Sequence, residues 1–173
     1  MIDRELVRAL GPVGDAFLGS FRGLRDVQRG TIPRILEGRD VLVASATASG
    51  KTEAILAPLV ARTLDRLPTY GSAIRMLLIA PTRALVNDLA ARVDGPLGRM
   101  GLTCGRQTSD HKDKHARPFV LITTPESFDS MLVRGGRVEG GRVTDHLLAQ
   151  VSVVFLTRRT CSTALPEETN YPG

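Results

Sequence analysis

Gly50-Lys51-Thr52 stands between an apolar, β-branched run (Val41-Leu42-Val43-Ala44) and a helix-favouring segment (Glu53-Ala54-Ile55-Leu56-Ala57). Strand, loop and helix start in this order are what phosphate binding requires, because loop N–H groups and the positive helix end converge on an anion. Lys51 adds a point charge at the β/γ-phosphates of a nucleotide, and the Thr52 hydroxyl takes one place on a magnesium ion. The loop itself reads Ser45-Ala46-Thr47-Ala48-Ser49. Ser45 replaces the Gly expected five positions before Gly50, and Ala48 stands where a second Gly is common. Small residues still let the backbone approach a ligand closely. The competing reading, an ordinary small-residue loop before a helix, is disfavoured by the strand and helix signals on either side.

Two further polar clusters follow apolar runs. Pro81-Thr82-Arg83 comes after Met76–Ala80, and Thr124-Pro125-Glu126 comes after Phe119–Thr123. Thr82 and Thr124 are helix-capping types, and Glu126 favours a helix N-terminus. Gln28 offers a primary amide, both donor and acceptor. Asp110, His111, Asp113 and His115 can be drawn as a metal cluster, but Lys112 and Lys114 are interleaved and argue against it. Cys104, at a strand centre, reads as a small core residue.

The elements that position these groups follow from periodicity. Residues 1–24 carry a loose helical pattern broken by Gly11-Pro12 and Gly14. Asp26 is placed to cap a helix running to Leu36, with Gly38 as its stop. The expected strands are Val41–Ala44, Met76–Ala80, Leu102–Arg106, Phe119–Thr123 and Val151–Leu156. The expected helices between them are Glu53–Leu67, Ala84–Val93, one from Pro125 to Val133, and a short Asp145–Gln150. His111–Arg117 reads as a surface excursion and Arg134–Arg142 as a Gly-rich loop. Alternating strands and helices predict an α/β fold, a mainly parallel sheet with helices on both faces. Ligands on such sheets sit at strand carboxyl ends, where all three polar clusters fall.

Composition bounds the rest. The 173 residues suit one domain, and 42% hydrophobic with 24% charged is an ordinary globular balance. With five Phe, two Tyr and no Trp, the core must be built from Val, Leu, Ile and Ala. A net charge of +5 favours a polyanionic partner. No signal-peptide core, membrane-length apolar run or disulfide framework is evident, and a cytoplasmic setting is expected by elimination.

In order along the chain, Gln28, Ser45–Thr52, Ala80-Pro81-Thr82-Arg83-Ala84-Leu85 and Thr124-Pro125-Glu126-Ser127 resemble the motifs of superfamily 2 helicases of the DEAD/DEAH-box type. The wording Thr47-Ala48-Ser49-Gly50-Lys51-Thr52-Glu53-Ala54 and Thr123-Thr124-Pro125-Glu126-Ser127 is similar to the large-helicase-related branch, and the likeness runs from about residue 15 to 156. The resemblance implies a RecA-like P-loop NTPase domain that binds ATP with magnesium. It implies nucleotide contacts from Gln28, Thr47, Ala48, Ser49, Gly50, Lys51 and Thr52, with Gln28 on the adenine edge. It also implies DNA or RNA contacts from Pro81, Thr82, Arg83, Thr124, Pro125 and Glu126. Arg106, Thr108 and Asp110 echo a further segment of the family weakly.

One departure is large. The family places an acidic pair directly after the strand Val151–Leu156, its Asp for magnesium and its Glu for the attacking water. This chain has Thr157-Arg158-Arg159-Thr160 there. Codons for these four residues, read one base out of frame, are compatible with GAC, GAG, GCG and CAC, which spell Asp-Glu-Ala-His. Carried through Asn170, the same frame gives Val-Leu-Asp-Gly-Thr-Ala-Arg-Gly-Asp-Gln, a continuation in keeping with the family. Residues 1–156 are therefore expected to be the N-terminal part of the ATP-binding domain, incomplete at its C-terminus, and 157–173 an aberrant, disordered tail. A genuinely divergent C-terminus is the competing reading. At the level of function, an ATP-dependent helicase portion stands against a non-enzymatic nucleotide- or nucleic-acid-binding fragment or a non-functional product. A metabolic phosphate-loop kinase leaves Pro81–Arg83 and Thr124–Glu126 unexplained.

Overall fold

The computed structural model describes residues 2–45, 49–65, 73–113, 117–134, 137–139, 142–144 and 147–157. Helices α1 (Ile2–Ala9) and α2 (Pro12–Leu18) are joined at Gly11, whose φ of 58° is open to glycine at no steric cost. The Asp3 carboxylate ties α1 to the segment that follows α2. It accepts from the Leu24 N–H at 3.0 Å and from Arg29 Nε at 2.7 Å.

Helix α3 spans Asp26–Leu36, as its pattern predicts. Gln28, Thr31, Ile32 and Ile35 are its buried positions, the 3–4 spacing of one helical face. Its N-cap is Arg25 rather than Asp26, because the Gln28 side chain reaches back to the Arg25 N–H and leaves Asp26 in the first turn. Gly38, with φ of 91°, follows the last turn and donates its N–H to the Ile35 carbonyl at 3.0 Å, and Arg62 donates to the same carbonyl at 2.9 Å. That arginine comes from α4 (Lys51–Asp65), whose Ala54, Ala57 and Ala61 are buried and let the two helices approach.

The main sheet has the order β3-β2-β4-β1-β7, with β1 Met76–Ile79, β2 Cys104–Thr108, β3 His111–Lys112, β4 Val120–Thr123 and, last in the chain, β7 Val153–Leu156. All pairings are parallel except β2 with β3. All four residues of β1 and of β4 are buried, as strands covered on both faces require. Met76, Leu78 and Ile122 pack towards α2, α3, α4 and α5 (Arg83–Arg99), while Leu77, Ile79 and Leu121 pack with Ile74, Met131 and Phe128 on the other face. Each such side chain contributes about 1.5–3 kcal/mol. Helix α6 (Pro125–Arg134) covers that second face, so helices lie on both sides.

Several expectations need correction. Val41–Ala44 is not part of the described sheet, and Leu42 is 94% exposed. A strand needs a neighbour's backbone groups as well as its own β-propensity. Helix α5 is Arg83–Arg99, six residues beyond the expected end, because burial of Leu97 outweighs the breakers Gly95 and Pro96. β2 lies two residues later than expected, and part of the supposed excursion is β3. Within the supposed loop 134–142, β5 (Arg137–Glu139) pairs antiparallel with β6 (Arg142–Thr144). Residues 147–150 form a turn rather than a helix; the helix expected over Glu53–Leu67 starts at Lys51, and its residues 66–67, like 158–173 of the expected tail 157–173, lie outside the described residues. Among the described residues no helix is long and apolar enough to cross a membrane.

Candidate nucleotide and nucleic-acid site

Helix α4 opens on Gly50, whose φ is 85° and whose carbonyl accepts from the Ala54 N–H at 3.0 Å. Upstream, the Ser45 and Ser49 hydroxyls meet at 2.6 Å and close the base of the loop. Thr47 and Ala48 fall between them, outside the described residues. The Lys51 ammonium folds back to donate to the Ser45 carbonyl, so its charge lies across this loop. Thr52, half-buried, sits in the first turn beside it. The first-turn N–H groups and the positive end of the helix dipole lie at the same end of α4 as Lys51, which makes that end electropositive. Glu53, the acidic residue of that turn, lies 4.0 Å from Arg92 of α5.

Gln28 is placed underneath this loop rather than on an open surface. It is fully buried, its Oε1 accepts from the Arg25 N–H at 2.9 Å, and its Nε2 donates to the Gly50 carbonyl at 3.5 Å. The Arg25 guanidinium lies over the Phe21 ring, 5.7 Å from its centroid.

Register brings the other two clusters to one sheet edge. Ile79 is opposite both Thr123 and Leu156, the Ala80 N–H donates to the Thr123 carbonyl at 2.9 Å, and the Thr157 N–H donates to Ile79 at 3.0 Å. Pro81–Arg83, Thr124–Glu126 and Thr157 therefore leave the sheet side by side. Thr82 caps α5, its hydroxyl accepting from the Leu85 N–H at 3.3 Å. Thr124 is buried and caps α6, accepting from the Ser127 N–H at 3.4 Å, while Pro125 and Glu126 are exposed. Two helix N-termini thus open on this edge. Arg83 is exposed there and is ion-paired with Asp110.

The β2–β3 hairpin supplies a network that sequence reasoning touched only as a weak echo. Arg106 donates to Asp113 from its backbone N–H at 2.7 Å, from Nε at 3.2 Å and from Nη2 at 3.2 Å, and from Nη1 to Asn87 at 3.1 Å. His111 Nε2 lies 2.6 Å from Asp113. The Arg106 guanidinium holds the Asp113 carboxyl at about 2, and the pairing raises Arg106 in turn. Asp110 and Asp113 are thus both neutralised by arginines, and His115 lies outside the described residues. Among the described residues no group of His, Cys, Asp or Glu is arranged to hold a metal. Cys104 is half-buried, and burial pushes its thiol up to about 12, as for an inert packing residue. The signal for the network was the seven-residue separation of Arg106 and Asp113 across a Ser109-Asp110 turn.

The family model for DEAD/DEAH box helicases matches residues 25–155. The chain belongs to the DEAD/DEAH box helicases. It is 36% identical over 152 residues to an ATP-dependent helicase Lhr-Core of Sulfolobus acidocaldarius, a match covering 76% of this chain and 17% of that protein. It is 29% identical over 155 residues to the ATP-dependent RNA helicase DBP4 of Scheffersomyces stipitis, covering 84% of this chain and 17% of that protein. The chain thus spans about a sixth of the length of these curated relatives. Among solved structures, Mss116p bound to ssRNA and AMP-PNP superposes with a TM-score of 0.70 at 23% identity, over 90% of this chain and 32% of that one. A hypothetical ATP-dependent RNA helicase of Sulfolobus tokodaii gives 0.64 at 22% identity, over 84% of this chain and 40% of that one. These likenesses show the RecA-like fold of helicase domains.

Proposed function

We propose that this DEAD/DEAH box chain is the ATP-binding and nucleic-acid-binding portion of an ATP-dependent helicase motor, acting in the cytoplasm. The observation that carries this is the opening of α4 by Gly50 at φ 85°, with Lys51 turned across a loop closed by Ser45 and Ser49. An ATP triphosphate fits this donor set: first-turn N–H groups, a lysine and the Thr52 hydroxyl for the accompanying magnesium. Bound magnesium would neutralise charge on the β- and γ-phosphates. Nucleic acid would lie across the edge where α5 and α6 open, its phosphates meeting helix N-termini and Arg83. The relatives' names include RNA helicases, which makes single-stranded RNA the first strand to try.

Hydrolysis is a separate matter. Thr157 follows β7, where the family's acidic pair belongs, and it brings no carboxylate. The proposal is therefore a chain that binds both ligands without turning ATP over, its residues 157–173 read out of frame. Titration of a fluorescent ATP analogue and of a labelled single-stranded oligonucleotide tests the binding half. Lys51→Ala should abolish the first and Arg83→Ala should weaken the second. ATP binding unchanged by Lys51→Ala would overturn the phosphate-loop assignment.

A further inference from the structure

Two arginines stand at the β2–β3 hairpin, and their surroundings differ. Arg106 is pinned: Asp113 takes its backbone N–H, Nε and Nη2, and Asn87 takes Nη1. Among the described residues Arg83 has a single carboxylate, Asp110, reached from the first residue of α5 across 27 positions of sequence. The Arg83 side chain is 61% exposed and that of Asp110 is 59% exposed. The carboxylate is itself oriented. Ser109 Oγ donates to Asp110 Oδ1 at 2.8 Å, which leaves Oδ2 to receive the guanidinium. Both residues sit in the tight turn between β2 and β3, at the carboxyl end of a strand parallel to β4.

A carboxylate and a phosphodiester offer a guanidinium the same pair of charged oxygens. We infer that Asp110 is a positioning residue for strand binding: it holds the Arg83 guanidinium across the sheet edge as a stand-in for phosphate and yields it to an arriving nucleic-acid backbone. This rests on the reading of that edge as the nucleic-acid site. An ion pair this exposed is weak, so the exchange is easy and reversible, whereas Arg106 keeps its partner. Releasing Arg83 in advance should therefore tighten binding by the small factor that the pair is worth. The carboxylate also repels the approaching phosphates, and its removal acts in the same direction.

The test is a double-mutant cycle in the full 173-residue chain, read by anisotropy of labelled oligouridylate and oligothymidylate at low salt. Asp110→Asn should bind either strand about two- to five-fold more tightly than the parent. In the Arg83→Ala background the same change should tighten binding less, by the relieved repulsion alone, and Asp110→Glu in the parent should keep parental affinity. A role in folding alone would weaken binding instead. Asp110→Asn binding no better than the parent overturns the inference while leaving the site intact. Equal tightening with and without Arg83 overturns it in favour of simple charge repulsion. A parent chain indifferent to Arg83→Ala overturns the nucleic-acid site and this inference with it.

Discussion

The Gln28 side-chain amide donates to the Gly50 carbonyl at 3.5 Å, joining two residues 22 positions apart and fastening α3 to the loop that opens α4. The contact is close enough to fix what residue 50 can be. Its φ of +85° is a region that L side chains rarely adopt, and a Cβ there would lie 2.8 Å from Gln28 Nε2 and 3.3 Å from Arg25 Cδ. Gly50→Ala should cost about 1–3 kcal/mol through backbone strain, lowering Tm by roughly 2–12 °C, and should displace the loop from phosphate. Thermal unfolding and ATP titration check both. Parental values in each would show that α3 moves aside without penalty.

Gln28 itself should behave as a structural residue. Gln28→Ala strips the Arg25 N–H and the Gly50 carbonyl of a buried partner, a loss of about 1–3 kcal/mol in urea unfolding. Gln28→Glu keeps the acceptor for Arg25 but turns an oxygen towards the Gly50 carbonyl, and should be at least as damaging. If instead both variants unfold like the parent and only lose preference for ATP over GTP, the amide serves the base and not the fold.

How far the sequence could reach depended on whether a residue's partner was local. Helix α3 was legible to within a residue because Ile32 and Ile35 repeat at helical spacing, its cap falling on Arg25 instead of Asp26. Strands β1 and β4 were legible because burial on both faces leaves an unbroken apolar run. Val41–Ala44 carries the same kind of run and is no described strand, since pairing depends on a neighbour that periodicity does not reveal. Leu97 held α5 together past Gly95-Pro96, a tertiary effect stronger than propensity. At the candidate site, the Thr82 cap was readable from residue type, whereas the burial of Gln28 and Thr124 came only with packing. The pairing of Arg106 with Asp113 appears only once the antiparallel register Gln107 to Lys112 is set.

That hairpin network makes stability depend on acid. The Asp113 carboxyl is held at about 2, below its ordinary 3.8, chiefly by the Arg106 side chain and then by His111 and the Arg106 backbone. A pKa lowered on folding stabilises the native state in full above about pH 4 and ceases to do so as pH falls through 2. Asp3, held at about 2 by Arg29, acts in the same window where α1 meets α3. Asp113→Asn should therefore be less stable than the parent at neutral pH, and the difference should shrink between pH 4 and pH 2. Urea unfolding followed by circular dichroism across that range measures it. A difference that stays constant with pH would mean that the lost hydrogen-bond geometry, and not the charge, accounts for the effect.

The Thr157 N–H bonds to the Ile79 carbonyl, which sets residue 157 on the edge from which Pro81–Arg83 and Thr124–Glu126 also leave. A hydrolysing motor of this family needs carboxylates there, one to order magnesium and one to orient water. Thr157 supplies neither, and Arg158 and Arg159 follow it with charge of the wrong sign. The purified 173-residue chain should bind ATP through Lys51 yet release no phosphate above background, with or without single-stranded RNA. Sequencing the encoding DNA through codon 156 should reveal a missing base. Restoring it, together with the downstream sequence, should write Asp-Glu-Ala-His after Leu156 and bring back nucleic-acid-stimulated hydrolysis that Lys51→Ala abolishes. Phosphate release by the chain as it stands, stimulated by RNA and lost in Lys51→Ala, would mean that the required carboxylates come from elsewhere and that the tail is genuine.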